Sequence, residues 1–221
     1  MAEDQVRHSK AAAAALVTDE DEKAKLEARN ALLQFDVIDQ MVDAFIRSGR
    51  PFRLRPSAFL ELHRAALEGL SAYAGNWRPA DVAIGGSKHR PPGAYEVPTL
   101  VEDLCDHVNE EWQHASAIRL SAYVLWRTNW VHPFVDGNGR TARAAAYYVL
   151  CARLGMHLPG IETIPDQIIA HRAPYYEALE DADTRWQETE TVDTSRLEDL
   201  LDSMLAKQLV SVHAAATKDR S

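Results

Sequence analysis

Residues His132-Pro133-Phe134-Val135-Asp136-Gly137-Asn138-Gly139-Arg140-Thr141-Ala142-Arg143 gather the side chains best suited to chemistry in this chain. His132 carries an imidazole that titrates near neutral pH and can act as a base. Asp136 offers the hard carboxylate oxygen that Mg²⁺ or Mn²⁺ takes. Gly137, Asn138 and Gly139 can turn the backbone so that successive N–H groups share one concavity. The concavity falls where a helix begins, and the free N–H groups and dipole there favour an anion. Arg140 and Arg143 lie three apart, so they share a face of the helix's first turns. A base, a metal ligand, an anion nest and two guanidiniums describe a site that holds a nucleotide's phosphates and deprotonates a hydroxyl beside them.

The stretch resembles the signature of the Fic-domain family, His-Pro-Phe-x-(Asp/Glu)-Gly-Asn-Gly-Arg-x-x-Arg, with every fixed letter present. Fixed letters at about 5% usage each make a chance match far rarer than about one in a million chains. The wider resemblance runs from about Pro51 to Asp183. It implies a protein adenylyltransferase that moves AMP from Mg-ATP to a Ser, Thr or Tyr hydroxyl of a target protein. On that resemblance His132 is the general base and Asp136 holds Mg²⁺ or Mn²⁺. Gly137, Asn138 and Gly139 hold the α- and β-phosphates, Arg140 the β-phosphate region and Arg143 the γ-phosphate. Gly85 to Pro92 resembles the family's flap, with Ser87, Lys88 and His89 where it meets nucleotide and target. Tyr175-Tyr176 matches a tyrosine pair that contacts the nucleoside.

Taken singly, these residues have plainer roles. His132 could cap a helix, the arginines could pair with surface acids, and two tyrosines could be core. Phe134 reads as a core anchor for the loop. The chain also departs from the family. Asp183 stands where many members carry Asn, and Leu125 stands seven before His132, where many carry His. Many members are restrained by a glutamate in Ser/Thr-x-x-x-Glu-Gly/Asn that pairs with the second signature arginine. Glu27, between Lys23 and Ala28, is the inhibitory candidate here, with Arg143 as its expected partner; Glu22 is the alternative.

The same site could instead serve AMP removal, or transfer of UMP or a phosphocholine. A catalytically silent nucleotide-binding interaction module is a rival of another class. A helical structural protein with a fortuitous motif would bind no nucleotide. Beyond the target protein, a second copy of the chain or a separate inhibitory protein are the further partners considered.

A net charge of −9 argues against nucleic acid and anionic membrane as partners, because that binding needs clustered Lys and Arg. No apolar run reaches the length of a membrane span, and Met1 to Lys10 lacks a signal-peptide pattern. Cys105 and Cys151, the two cysteines, sit in apolar helical contexts and read as buried free thiols. A reducing cytoplasm is the expected setting.

With 221 residues, 46% of them hydrophobic, the chain can bury a sizeable core. The pattern predicts an all-α bundle with one small β-hairpin, and the resemblance implies a Fic-type helical bundle with that hairpin as its flap. We divide it into an N-terminal helical segment at 1–50, a core domain at 51–190, and a C-terminal helix and disordered tail at 191–221. Residues 1–17 read as frayed. Thr18 caps a helix that runs to Gly49, with Asn30 a candidate break. Pro56 opens a second helix to about Leu70. Residues 73–96 form a loop with a hairpin around Val82–Ile84. Thr99 and Glu102 read as a capping box for a helix to Trp112. Further helices span Ala117–Trp130, Asn138–Leu154, a stretch from Ile164 through the tyrosine pair, and Ser195 to about His213. The Ala144–Ala146 run permits close packing and marks Asn138–Leu154 as the central helix.

Overall fold

The computed structural model describes residues 9–10 and 15–218. Among these, the helices are α1 (Glu20–Ser48), α2 (Pro56–Leu67), α3 (Val97–Glu111), α4 (Ala117–Val131), α5 (Asn138–Leu154), α6 (Ile164–Ala170), α7 (Arg172–Thr189) and α8 (Ser195–Lys218). The all-α reading holds. Among the described residues, strand is confined to β1 (Ser9–Lys10) and β2 (Ala83–Ile84).

The bundle is built around α4 and α5, which pack along their length. Both bury residues on every face, as a helix does when other elements surround it. Ala144, Ala145 and Ala146 let neighbouring backbones come close, and the Ser121 hydroxyl donates to the Ala146 carbonyl at 3.0 Å. α1 and α2 lie against α5, while α3 and α8 lie against α4. Ile38 and Val42 from α1 and Leu197 and Leu201 from α8 share one core with them.

α1 turns a narrow stripe inward at Asn30, Gln34, Ile38 and Val42, one residue per turn. Asn30 does not break the helix. Its amide donates to the Glu68 carbonyl at 2.8 Å, satisfying the exposed end of α2. The N-cap is Asp19 rather than Thr18; its carboxylate accepts from the Glu22 N–H at 2.8 Å. α3 starts at Val97, two residues before the expected capping box. The capping box found here belongs to the 3₁₀ turn at Ala94–Glu96 just before it, where Glu96 accepts from the Gly93 N–H at 2.8 Å. The stretch from Ile164 divides at His171 into α6 and α7. α8 runs to Lys218, past His213, where the tail was expected to begin.

The expected hairpin also differs. β2 pairs antiparallel with β1, Ser9 opposite Ile84 and Lys10 opposite Ala83, and not with its own return limb. A turn follows β2, with the Ser87 N–H donating to the Ile84 carbonyl at 3.4 Å. Pro91 and Pro92 sit in the return limb and lack the N–H a ladder needs. The remainder of the expected frayed segment, at 1–8 and 11–14, lies outside the described residues, as do 219–221 of the tail.

Candidate active site

The site begins where α4 ends. His132 follows Val131 in the left-handed region at φ 51°, a conformation uncommon for a residue with a Cβ. The turn carries the chain off α4 and drives Phe134 into the core, fully buried and stacked on the His63 ring at 3.7 Å. Asn138 closes the loop from the other side. Its side chain accepts from the Phe134 N–H at 2.8 Å and donates to the Phe134 carbonyl at 2.8 Å. The Asn138 side chain thus braces the loop and leaves its backbone to the nest.

His63 pins the far end. The Gly75 N–H donates to its Nδ1 at 2.9 Å, so Nε2 carries the proton and donates to the Asp136 carbonyl at 3.0 Å. Burial pushes His63 down to about 4, which keeps that arrangement neutral and fixed at pH 7. Gly137 then turns at φ 73°, and α5 starts at Asn138. Its first N–H groups face a cavity of about 440 Å³.

His132, Asp136, Gly137, Asn138, Gly139, Arg140 and Arg143 all line this cavity. Burial pushes His132 down to about 4, so its imidazole is neutral at pH 7. The Asn129 carbonyl is a hydrogen-bond partner of the ring. A nitrogen that donates there leaves the other with the lone pair that a base requires. Arg143 lies deep, where burial pulls its pKa down from the ordinary value and Tyr175 and Tyr176 face it. Tyr175 is buried, and its hydroxyl accepts from the Asn129 amide at 2.9 Å. Tyr176 lines the same wall.

The flap side contributes Ile84, Ser87 and His89. His89 donates to the Trp130 carbonyl at 2.8 Å and sits 4.0 Å from the Asp183 carboxylate. Lys88 is exposed and does not line the cavity. Its neighbours Ser87 and His89 do, because the turn after β2 sends the lysine outward. Asp183 also accepts from the Trp126 indole N–H at 2.9 Å, which ties the cavity wall to the core.

Glu27 reaches the cavity from α1, but its partner is Arg140 at 3.3 Å and not Arg143. Arg140 occupies the first turn of α5, half-exposed toward α1, and also meets Asp136 at 3.2 Å. Arg143 is almost a turn deeper and faces α7, beyond the reach of that contact. Two polar lining residues, Asn129 and Arg172, lie outside the motif. Asn129 supports Tyr175, and Arg172 sits on the tyrosine pair's face of α7, three and four residues before it. Arg143 and Arg172 oppose each other electrostatically across the cavity, an arrangement that a bound polyanion relieves.

Asp136 is the metal candidate. One of its oxygens accepts from the Gly137 N–H at 2.6 Å and the other faces Arg140, with the side chain half-exposed. Among the described residues no group of three or more His, Cys, Asp or Glu could hold a metal. The donor set fits Mg²⁺ through one carboxylate, the rest coming from water and phosphate.

The sequence profile of the Fic/DOC family matches residues 53–150, from before α2 to the last turns of α5. Residues 53–150 are similar to a Fic domain. A protein adenylyltransferase Fic of Drosophila virilis is 31% identical over 122 residues, 53% of this chain and 24% of that one. Its counterpart in Drosophila willistoni is 29% identical over 120 residues, 53% of this chain and 23% of that one. The match thus spans about a quarter of those relatives. A Fic domain containing signaling protein from Bacteroides thetaiotaomicron superposes with a TM-score of 0.69 at 22% identity, covering 88% of this chain and 73% of that one. Fic-1 from Caenorhabditis elegans gives 0.61 at 23% identity, over 87% and 52%. These two show a shared fold. The loop that lines the cavity, His132 to Arg143, lies inside the matched stretch.

Proposed function

We propose that the chain is a protein adenylyltransferase, moving AMP from ATP to a hydroxyl of a target protein. The observation that carries this reading is a neutral His132 in the same cavity as the α5 N-terminus and Arg143. The α5 N–H groups and Arg140 hold the α- and β-phosphates, and Arg143 with Arg172 takes the γ-phosphate. His132 accepts the hydroxyl proton while the oxygen bonds to the α-phosphorus and the bond to pyrophosphate breaks. Donors fixed before reaction stabilise the charge that develops there. Mg²⁺ or Mn²⁺ on Asp136 would neutralise phosphate charge when bound. The names of the curated relatives favour a protein acceptor over a small molecule. A reducing cytoplasm is part of the same reading, favoured by free, buried Cys105 and Cys151. Among the described residues no helix is long and apolar enough to cross a membrane.

The test is incubation of the chain with candidate acceptors and ATP labelled at the α- or the γ-position. Protein should gain the α-label alone. Label from the γ-position would mean kinase chemistry, and nucleotide binding without incorporation would mean a silent module. Chelator should abolish incorporation. Asp136→Asn should raise the Mg²⁺ concentration at half-maximal rate by about tenfold or more. Full incorporation in excess chelator would remove Asp136 as a metal ligand.

Glu27 is the proposed restraint, acting on Arg140. The pair is about a third exposed, with side chains 28% and 44% accessible, so its worth is at most about 1 kcal/mol. Glu27→Gly should therefore raise self-labelling by up to about fivefold, and Arg140→Ala should remove the gain. Equal labelling by Glu27→Gly and the unaltered chain across ATP concentrations would place any restraint elsewhere, a separate inhibitory protein included.

A further inference from the structure

We propose that Arg78 is the positioning residue that locks the His132 loop and the 80–92 segment, which carries the flap, into one unit. The general base and the edge beside the acceptor then hold a common geometry. The inference rests on the adenylyltransferase reading for its catalytic consequence and on geometry alone for the lock.

The end of α4 leaves carbonyls without helical partners. Trp130, His132 and Pro133 all find donors in the flap or in the segment that leads into it. His89 donates to Trp130 at 2.8 Å, the Arg78 Nε–H to His132 at 2.9 Å, and the Arg78 backbone N–H to Pro133 at 2.9 Å. The rest of the guanidinium turns the other way. Nη1 donates to the Ala80 carbonyl at 3.2 Å, and Nη2 donates to the Pro92 carbonyl. Ala80 and Pro92 are the two ends of the segment that carries the flap residues 85–92. One side chain therefore ties both ends of that segment to the residue that carries the base.

The burial of this charge calls for a cause. Arg78 is 2% exposed. Its one ion-pair partner among the described residues is Asp81 at 3.6 Å, whose side chain is 81% exposed and screened by water, and Glu96 adds a weaker attraction. A buried cation is costly unless its donors are satisfied, and here backbone carbonyls satisfy them. A planar fork with donors on three nitrogens can reach carbonyls on three segments at once. A lysine has one nitrogen and a glutamine one amide, so neither spans the set. Misplacing a reacting group by about 1 Å can cost about 10²-fold in rate.

Arg78→Lys and Arg78→Gln in the full chain test this. Amide hydrogen exchange needs no substrate and reads the lock directly. Exchange should quicken together in 80–93 and in 132–137, while α8 and the thermal transition stay close to those of the unaltered chain. ATP affinity should hold while kcat for transfer falls by about 10–100-fold. Lysine should rescue little, and added guanidinium ion should partly restore Arg78→Ala. Arg78→Lys, which keeps charge and length, carries the test if the glutamine variant does not fold. Loosening of one segment alone, or unaltered exchange in both, overturns the lock. Both segments loosened with an unchanged kcat overturns the positioning role. Coupled loosening in a chain that transfers nothing before substitution keeps the lock and removes the transferase reading instead.

Discussion

His132→Ala should lower the rate of AMP transfer by about 10²–10⁴-fold, the usual cost of losing a positioned general base. ATP affinity and helix content should hold, because the nest is backbone and Arg143 is untouched. The pH profile adds a sharper criterion. A base works in its neutral form, and burial pushes His132 down to about 4. An unperturbed imidazole would lose activity as pH falls through about 6.5. Here the acid limb of kcat/KM should lie near the lower value, with the rate nearly flat between them. The cause is desolvation first, then neighbouring charge from His89 and Arg78, against the Asn129 carbonyl and Asp136. Measuring kcat/KM from pH 4 to 8, with transfer by the alanine variant alongside, checks both parts. A limb near 6.5, or comparable transfer by the variant, would remove His132 as a buried base.

Gly137→Ala should damage both fold and site. Gly137 turns at φ 73°, where any L side chain is strained by about 1–2 kcal/mol. A Cβ there would stand 2.4 Å from Leu67 Cδ2. Leu67 is 1% exposed and wedged against Ala66 and Leu70, so it cannot swing into water. Overpacking of that kind adds about 1–3 kcal/mol. For a chain of this size the thermal transition should fall by about 5–15 °C. The loop must shift to relieve the clash, which turns N–H groups out of the nest and weakens ATP binding by about tenfold or more. Calorimetry of folding and of nucleotide binding reads the two effects separately. A transition within a degree or two of the unaltered chain, with unchanged ATP affinity, would show that the turn tolerates a Cβ and that the nest does not depend on it.

What the sequence by itself determined is the part of the site that is local. His132 to Arg143 is one contiguous loop and helix start, so spacing alone places a base, an anion nest and two guanidiniums together. Helix periods work over the same range. The alanines of α5 and the apolar runs of α4 announce a buried pair, because the pattern repeats every turn. Tyr175 and Tyr176 were legible through family resemblance, since nothing between Arg143 and α7 fixes how the chain returns.

The tertiary structure alone decided whatever joins distant segments through backbone. Glu27 meets Arg140 because α1 crosses α5 at its first turn, a matter of helix packing. β2 takes its partner from Ser9–Lys10, because strand pairing is satisfied by whichever backbone lies alongside. His63, Arg78 and Asn129 hold the site through hydrogen bonds, most of them to backbone groups. Every residue has a carbonyl, so such bonds leave no pattern of residue types to read. The neutrality of His132 belongs to the same class: its pKa follows from how much water the packed bundle removes, and burial is a property of the assembled fold.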